Sequence, residues 1–268
     1  MSQTPSRKVH IGIPMHQGVV TAQTMASVST ATSVRHAMNY QSLGLSLLAK
    51  NFNLLFISAV KRGYDYFLLH HSDLGVAGLL DGGFRGSWLD LLIDRLEKHQ
   101  LKALSVAVPI KNQAGVFSSG ILTVPGDAWS LRRHTVKELN RMPTEIITRD
   151  DMAKTLDVKA PGAMLVNSGL LLMDIRDRGG IWREKEWPGF NIADEIVWNR
   201  SGVPESYTVP EDWGLSIWCH ENNVPYALTR EIIVAHVGGT VFLNNGDWGD
   251  ETDVPRQQIS PEEYRLSR

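Results

Sequence analysis

The sequence predicts an α/β fold, with a mostly parallel sheet flanked by helices in a single domain. Strand-like apolar runs alternate with stretches of helical periodicity along most of the chain. The run Tyr66, Phe67, Leu68, Leu69 is unbroken and apolar, which suits a strand buried on both faces. The 268 residues, 43% hydrophobic and 21% charged, are enough to bury a large core.

Residues 9–14 read as the first strand, closed by Pro14, which cannot extend a ladder. Residues 21–34 are rich in small side chains and read as a helix; 38–45 read as a second strand. Phe52, Leu55, Phe56 and Ala59 share one face of a helix over 51–62, and Gly63 is placed to stop it. The strand containing Tyr66 follows. Ser87 and Asp90 form a capping-box pattern before a helix whose stripe is Leu89, Leu92, Ile93 and Leu96. Residues 104–110 alternate like a half-buried strand. Residues 132–141 read as a polar helix, and Thr148 caps a short helix to about Leu156. Residues 163–166 and 170–175 are strand-like, joined through Asn167, Ser168 and Gly169. Residues 193–199 look like a short helix. Thr208, Pro210 and Glu211 mark another helix, running to about Asn223. Residues 225–228 and 231–236 close the set as strands. From Asn244 the chain is polar, so residues 1–243 form the expected domain and 244–268 a tail or lid.

A formal net charge of -2 gives no global pull toward nucleic acid or membrane. The single cysteine, Cys219, excludes an internal disulfide. With no signal-like core and no apolar span of membrane length, a cytoplasmic, soluble protein is expected. Arg132, Arg133 and His134, with Lys137 and Arg141, form a local basic cluster. It reads either as a solvated helix face or as a patch for a nucleic-acid acceptor.

Ligands of open α/β sheets sit outside the carboxyl ends of the strands. The central strand ends there in His70, His71, Ser72 and Asp73. His70 and His71 point to opposite faces of an extended chain, which suits His70 as a buried, satisfied ring. Asp73 is either an oxygen ligand for a hard cation or a turn aspartate. His71 is either a nitrogen ligand or a partner of backbone. His236 ends a late strand before Gly238 and Gly239, at the same kind of edge.

The order of these pieces resembles glycosyltransferases of the GT-A (Rossmann-like) fold, especially the large inverting family that includes cellulose and chitin synthases. Six pieces carry the likeness. They are Ile11-Gly12-Ile13-Pro14; Lys50-Asn51 before its helix; Tyr64 to Leu74; Asn167 to Leu172; Glu211-Asp212; and His236-Val237-Gly238. The resemblance implies a donor nucleotide-diphosphate sugar, with UDP as its nucleotide, and Mn2+ or Mg2+ held by Asp73, His236 and His71. It implies nucleotide contacts from Pro14, Met15, His16, Gln17, Asn51 and Ser72. It places Asn167, Ser168, Gly169 and Trp213 against an acceptor hydroxyl of a glycan, a protein or a modified nucleic-acid base. Glu211 and Asp212 supply the base, with inversion. Of the two, Asp212 is preferred, because a helix capped by Thr208 puts Glu211 at the third position, where it would serve the cap.

Two departures stand out. His71 replaces the first carboxylate of the metal motif, and the second strand lacks the family's aspartate-rich loop; these bear on metal dependence and nucleotide choice. Arg85, in the loop after Asp81, is either a phosphate partner or a surface arginine. Two other readings remain: a non-catalytic sugar- or nucleotide-binding module of the same fold, and a sugar-phosphate nucleotidyltransferase. The second would want a glycine-rich basic loop where this chain has Met15-His16-Gln17-Gly18.

Overall fold

The computed structural model describes residues 6–15, 18–31, 33, 35–82, 87–112, 114–198, 201–246 and 248–249. It is a mixed α/β domain. β1 (Lys8–Pro14) leads to α1 (Ala22–Thr30), where the Thr21 hydroxyl accepts the Thr24 N–H as a cap. β2 (Ala37–Leu43) is followed by α2 (Leu48–Lys61), after which Gly63 adopts φ 70°, a left-handed stop. β3 (Tyr66–His70) and β4 (Leu74–Leu79) precede α3 (Trp88–Lys98), capped by the Ser87 hydroxyl. Then come β5 (Ala103–Val106), β6 (Val116–Leu122), β7 (Leu131–Thr135), the short α4 (Val136–Leu139) and α5 (Arg149–Thr155). β8 (Met164–Leu165), β9 (Leu170–Asp174) and α6 (Arg176–Glu184) lead into a hairpin of β10 (Ala193–Trp198) and β11 (Pro204–Val209). α7 (Glu211–Glu221), β12 (Tyr226–Thr229), β13 (Ile232–Val237) and β14 (Val241–Leu243) complete the order.

The central sheet runs β12-β5-β9-β3-β1-β2. The pairs β1–β2, β1–β3 and β5–β12 are parallel; β9 alone runs against both its neighbours, β3 and β5. Alternate residues of each strand serve opposite faces. Ile11, Leu68 and Leu172 pack with Trp88 and Leu92 on the side of α1 and α3. Phe67, Leu69 and Leu171 pack with Phe52, Leu55, Trp182 and Leu215 on the side of α2, α6 and α7. His10 is wholly buried beside Tyr64 and Phe67, neither ring nitrogen having a hydrogen-bond partner, and burial lowers its pKa to about 4.

Four sequence expectations need correcting. Residues 193–198 form strand β10, because pairing with β11 supplies backbone partners to Ile196 and its neighbours. Thr208 lies within β11, its hydroxyl donating to Asp194 Oδ1 at 2.6 Å, and does not cap α7. Arg132 and Arg133 lie on β7, not on a helix. His134, on the same strand, is buried, stacked on Phe117 and bonded through Nε2 to the Ser119 hydroxyl at 2.7 Å. Burial lowers its pKa to about 4 as well. Finally, Asn244 belongs to the body. Its amide donates to Ala107 O and Ile232 O and accepts the Val234 N–H. Trp248 packs near Phe242, and residues 250–268 lie outside the described residues. Among the described residues no helix is long and apolar enough to cross a membrane.

Leu68 is fully buried on the central strand. Leu68→Ala should cost about 2–5 kcal/mol in urea-induced unfolding, while Ile57→Ala, at a position 42% exposed, should stay within about 0.5 kcal/mol.

Candidate functional site

The carboxyl ends of β1 and β3 define one edge of the sheet. Because β9 is antiparallel to β3, its beginning lies at that same edge, and the His71 N–H donates to Gly169 O at 2.8 Å. The pairing of β4 with β13 sets Leu74 opposite His236 and lets the Val237 N–H reach Asp73 O at 2.8 Å. Asp73 Oδ2 then stands 3.7 Å from His236 Nε2. The Lys111 ammonium donates to the same carboxylate oxygen. Burial opposes ionisation of Asp73, but hydrogen bonding from His236 and Lys111 outweighs it and holds the carboxyl far below the usual range.

His236 Nδ1 meets Pro109 O at 2.7 Å. A carbonyl only accepts, so Nδ1 carries a proton, and Nε2 is the ring nitrogen turned toward Asp73. Asp73 and His236 thus bring one oxygen and one nitrogen together, with the Lys111 ammonium already on that oxygen, while His71, expected as a third metal ligand, is turned to the Ser168 hydroxyl instead. Among the described residues, no group of three or more His, Cys, Asp or Glu is placed to hold a metal.

His71 continues the line of polar groups. Its Nε2 lies 3.2 Å from the Ser168 hydroxyl, and its ring centroid is 5.2 Å from that of Phe52. Burial lowers its pKa to about 4, against the pull of Asp73, so the ring is neutral at pH 7. Ser168 also donates to Glu211 Oε1 at 3.2 Å. With Pro210 as N-cap, Glu211 and Asp212 are the first two residues of α7, so the reason for assigning Glu211 to a capping box is withdrawn. Glu211 is buried, and burial raises its pKa. Burial, then the Glu211 charge, raises Asp212 to about 7. Arg133 opposes that rise. Its guanidinium sits 5.0 Å over the Trp213 ring while donating to Phe117 O and Ser118 O.

The other expected residues divide sharply. Pro14 and Met15 lie at the sheet edge, whereas His16, Gln17 and Arg85 lie outside the described residues. Asn51 is fully buried and spends its amide on Leu45, accepting its N–H at 3.0 Å and donating to its carbonyl at 3.1 Å. It shapes the loop after β2 and is removed from the nucleotide contacts. Ser72 is buried, and its carbonyl accepts the Thr21 N–H. Asn167 is buried and bonded to Val106 O and the Gly169 N–H, so it is removed from the acceptor contacts. A Cβ on Gly169 would fall 2.7 Å from Leu74 Cδ1, so a larger residue here would have to move that side chain. Of that trio, Ser168 alone joins the site. His70 is satisfied in the core, its Nε2 at 2.8 Å from the Ser27 hydroxyl, and burial lowers its pKa to about 4. Lys111 lies on a segment without a motif, and Arg133, marked in the sequence only as part of a basic cluster, is carried to the acid pair by β7.

No family model matches the chain, and neither does any curated protein. Among solved structures, the crystal structure of A197 from STIV is similar over 91% of this chain and 97% of its own, at 8% identity and a TM-score of 0.43. That likeness is too distant to carry an argument.

The raised Asp212 generates a stability prediction. Its pKa is higher folded than unfolded, so the folded state holds the proton more tightly, and that advantage is lost as pH rises through about 7. Asp212→Asn should therefore melt at a higher temperature than the parent at pH 8, with the gap closing as pH falls below about 4. Equal gaps at both pH values would show that the carboxyl is not raised.

Proposed function

We propose that this protein is a glycosyltransferase that moves a sugar from a nucleotide diphosphate to an acceptor hydroxyl, with Mn2+ or Mg2+ as cofactor. The observation that carries the reading is the meeting of Asp73 and His236, far apart in sequence, at the ligand-bearing edge of the sheet. The acid pair of α7 is connected to that edge through His71 and Ser168.

A divalent cation supplies Lewis acidity for the departing diphosphate, and Asp73 and His236 are the residues that would hold it. Lys111 adds a further positive charge where phosphate oxygens would gather. At the other end, the Glu211–Asp212 pair takes the proton as the acceptor oxygen bonds to the anomeric carbon and the bond to diphosphate breaks. A carboxylate whose pKa is raised toward neutrality is a stronger base than an ordinary surface acid. Arg133 compensates its charge when it is ionised. Trp213 already has Arg133 over its ring, so its contribution to an acceptor is an edge or the opposite face. Direct attack assisted by this base corresponds to inversion.

A binding module of the same fold is the second reading, and the Lys111–Asp73 ion pair favours it: an internal cation already neutralises the carboxylate.

Hydrolysis of a panel of nucleotide sugars in the presence of Mn2+ tests the proposal. Asp73→Asn and His236→Ala should each lower turnover about 10–100-fold, and Asp212→Asn about 10²–10⁴-fold. Turnover untouched by Asp73→Asn would remove the metal assignment. Thermal stabilisation by free sugars, without any response to UDP and Mn2+, would favour the binding module.

A further inference from the structure

Among the described residues the central sheet has an open side at β2, and that edge carries none of the usual protections. From Ala37 to Ala49 the chain has no charged residue and no proline. Edge strands normally blunt themselves with charge, proline, bulges or brevity, because unpaired amides template another strand. β2 is seven residues long and in unbroken register with β1. The Ala37 N–H donates to Arg7 O, and Leu43 O accepts the Met15 N–H. A strand residue sends its N–H and C=O to one side, and its neighbour sends them to the other. The amide groups of Ala37, Asn39, Gln41 and Leu43 thus face β1. Those of Met38, Tyr40 and Ser42 face outward.

We propose that this edge pairs with β2 of a second copy of the chain, antiparallel across a twofold axis at Tyr40. The strand is its own complement in that register. Tyr40 meets Tyr40, Asn39 meets Gln41, Met38 meets Ser42 and Ala37 meets Leu43. Aromatic therefore faces aromatic, amide faces amide, and no like charges are opposed. The twofold falls on a residue whose amide faces outward, so Tyr40 and both Met38–Ser42 pairs become reciprocally hydrogen-bonded pairs. Tyr40 is 63% exposed in the single chain. Gln41 accepts from Ser58 of α2, so α2 backs the face of β2 opposite the Tyr40 side chain. A closed, isologous dimer satisfies both edges at once, whereas any other strand would have to bring its own complement. This inference is independent of the proposed activity.

Light scattering after size exclusion on the full chain at micromolar concentration should report twice the chain mass. Tyr40→Pro deletes an outward N–H and no bond to β1, and Tyr40→Lys sets two ammonium groups at the axis. Both variants should be folded monomers by circular dichroism. In Tyr40→Cys the paired Cα atoms would be about 5.5 Å apart, within disulfide reach. Mild oxidation should then give a covalent dimer, the native Cys219 being buried. A parent that is monomeric throughout, or variants that dimerise like the parent, or no cross-link under oxidation, would each overturn the proposal.

Discussion

The reversed direction of β9 is the constraint from which the site follows. Inserted between β3 and β5, it is the one central strand that starts where its neighbours end. Its preceding turn is therefore delivered to the edge where β1 and β3 end, and the Gly169 carbonyl accepts the His71 N–H. Had β9 been parallel, the turn holding Ser168 would lie at the far end of the sheet, and Asp73 and Glu211 would have nothing between them. The absent Cβ of Gly169 and the spent amide of Asn167 are the local means by which this turn is held.

The charge in the site is arranged in two poles joined by a neutral bridge. Asp73 is held well below the usual carboxylate range by His236 and Lys111, so one pole is a carboxylate beside an ammonium. At the other pole, two acids crowd the start of α7 with Arg133 as their compensating charge, and their pKa values rise. His71 and Ser168 stand between them, uncharged. Carboxylates of one chemical type are thus given different tasks by their surroundings.

Much of this was legible beforehand, for definite reasons. The central strand was recognisable because burial on both faces leaves an apolar run, and α2 and α3 because one buried stripe recurs at helical spacing. The edge position of Asp73, His71 and His236 followed from strand ends alone. The hairpin of β10 and β11 was misread because both strands are largely exposed and polar, so no alternation betrays them. That error moved the start of α7 to Thr208 and supplied a false duty for Glu211. β7 was misread because Arg132 and Arg133 hid a strand whose buried members are Leu131 and His134. Lys111 was invisible, and Arg133 was seen only as one of a basic cluster, because their positions depend on where distant backbone carries them.

The histidines sealed in the interior have one more effect. His10, His70 and His134 titrate in the fold near pH 4, against 6.5 in a solvated chain. Between those values the unfolded chain takes up protons that the folded one refuses, so the native state is progressively undercut as acidity rises from pH 6.5 to 4. Acid would thus act on this molecule through rings that lie in its core.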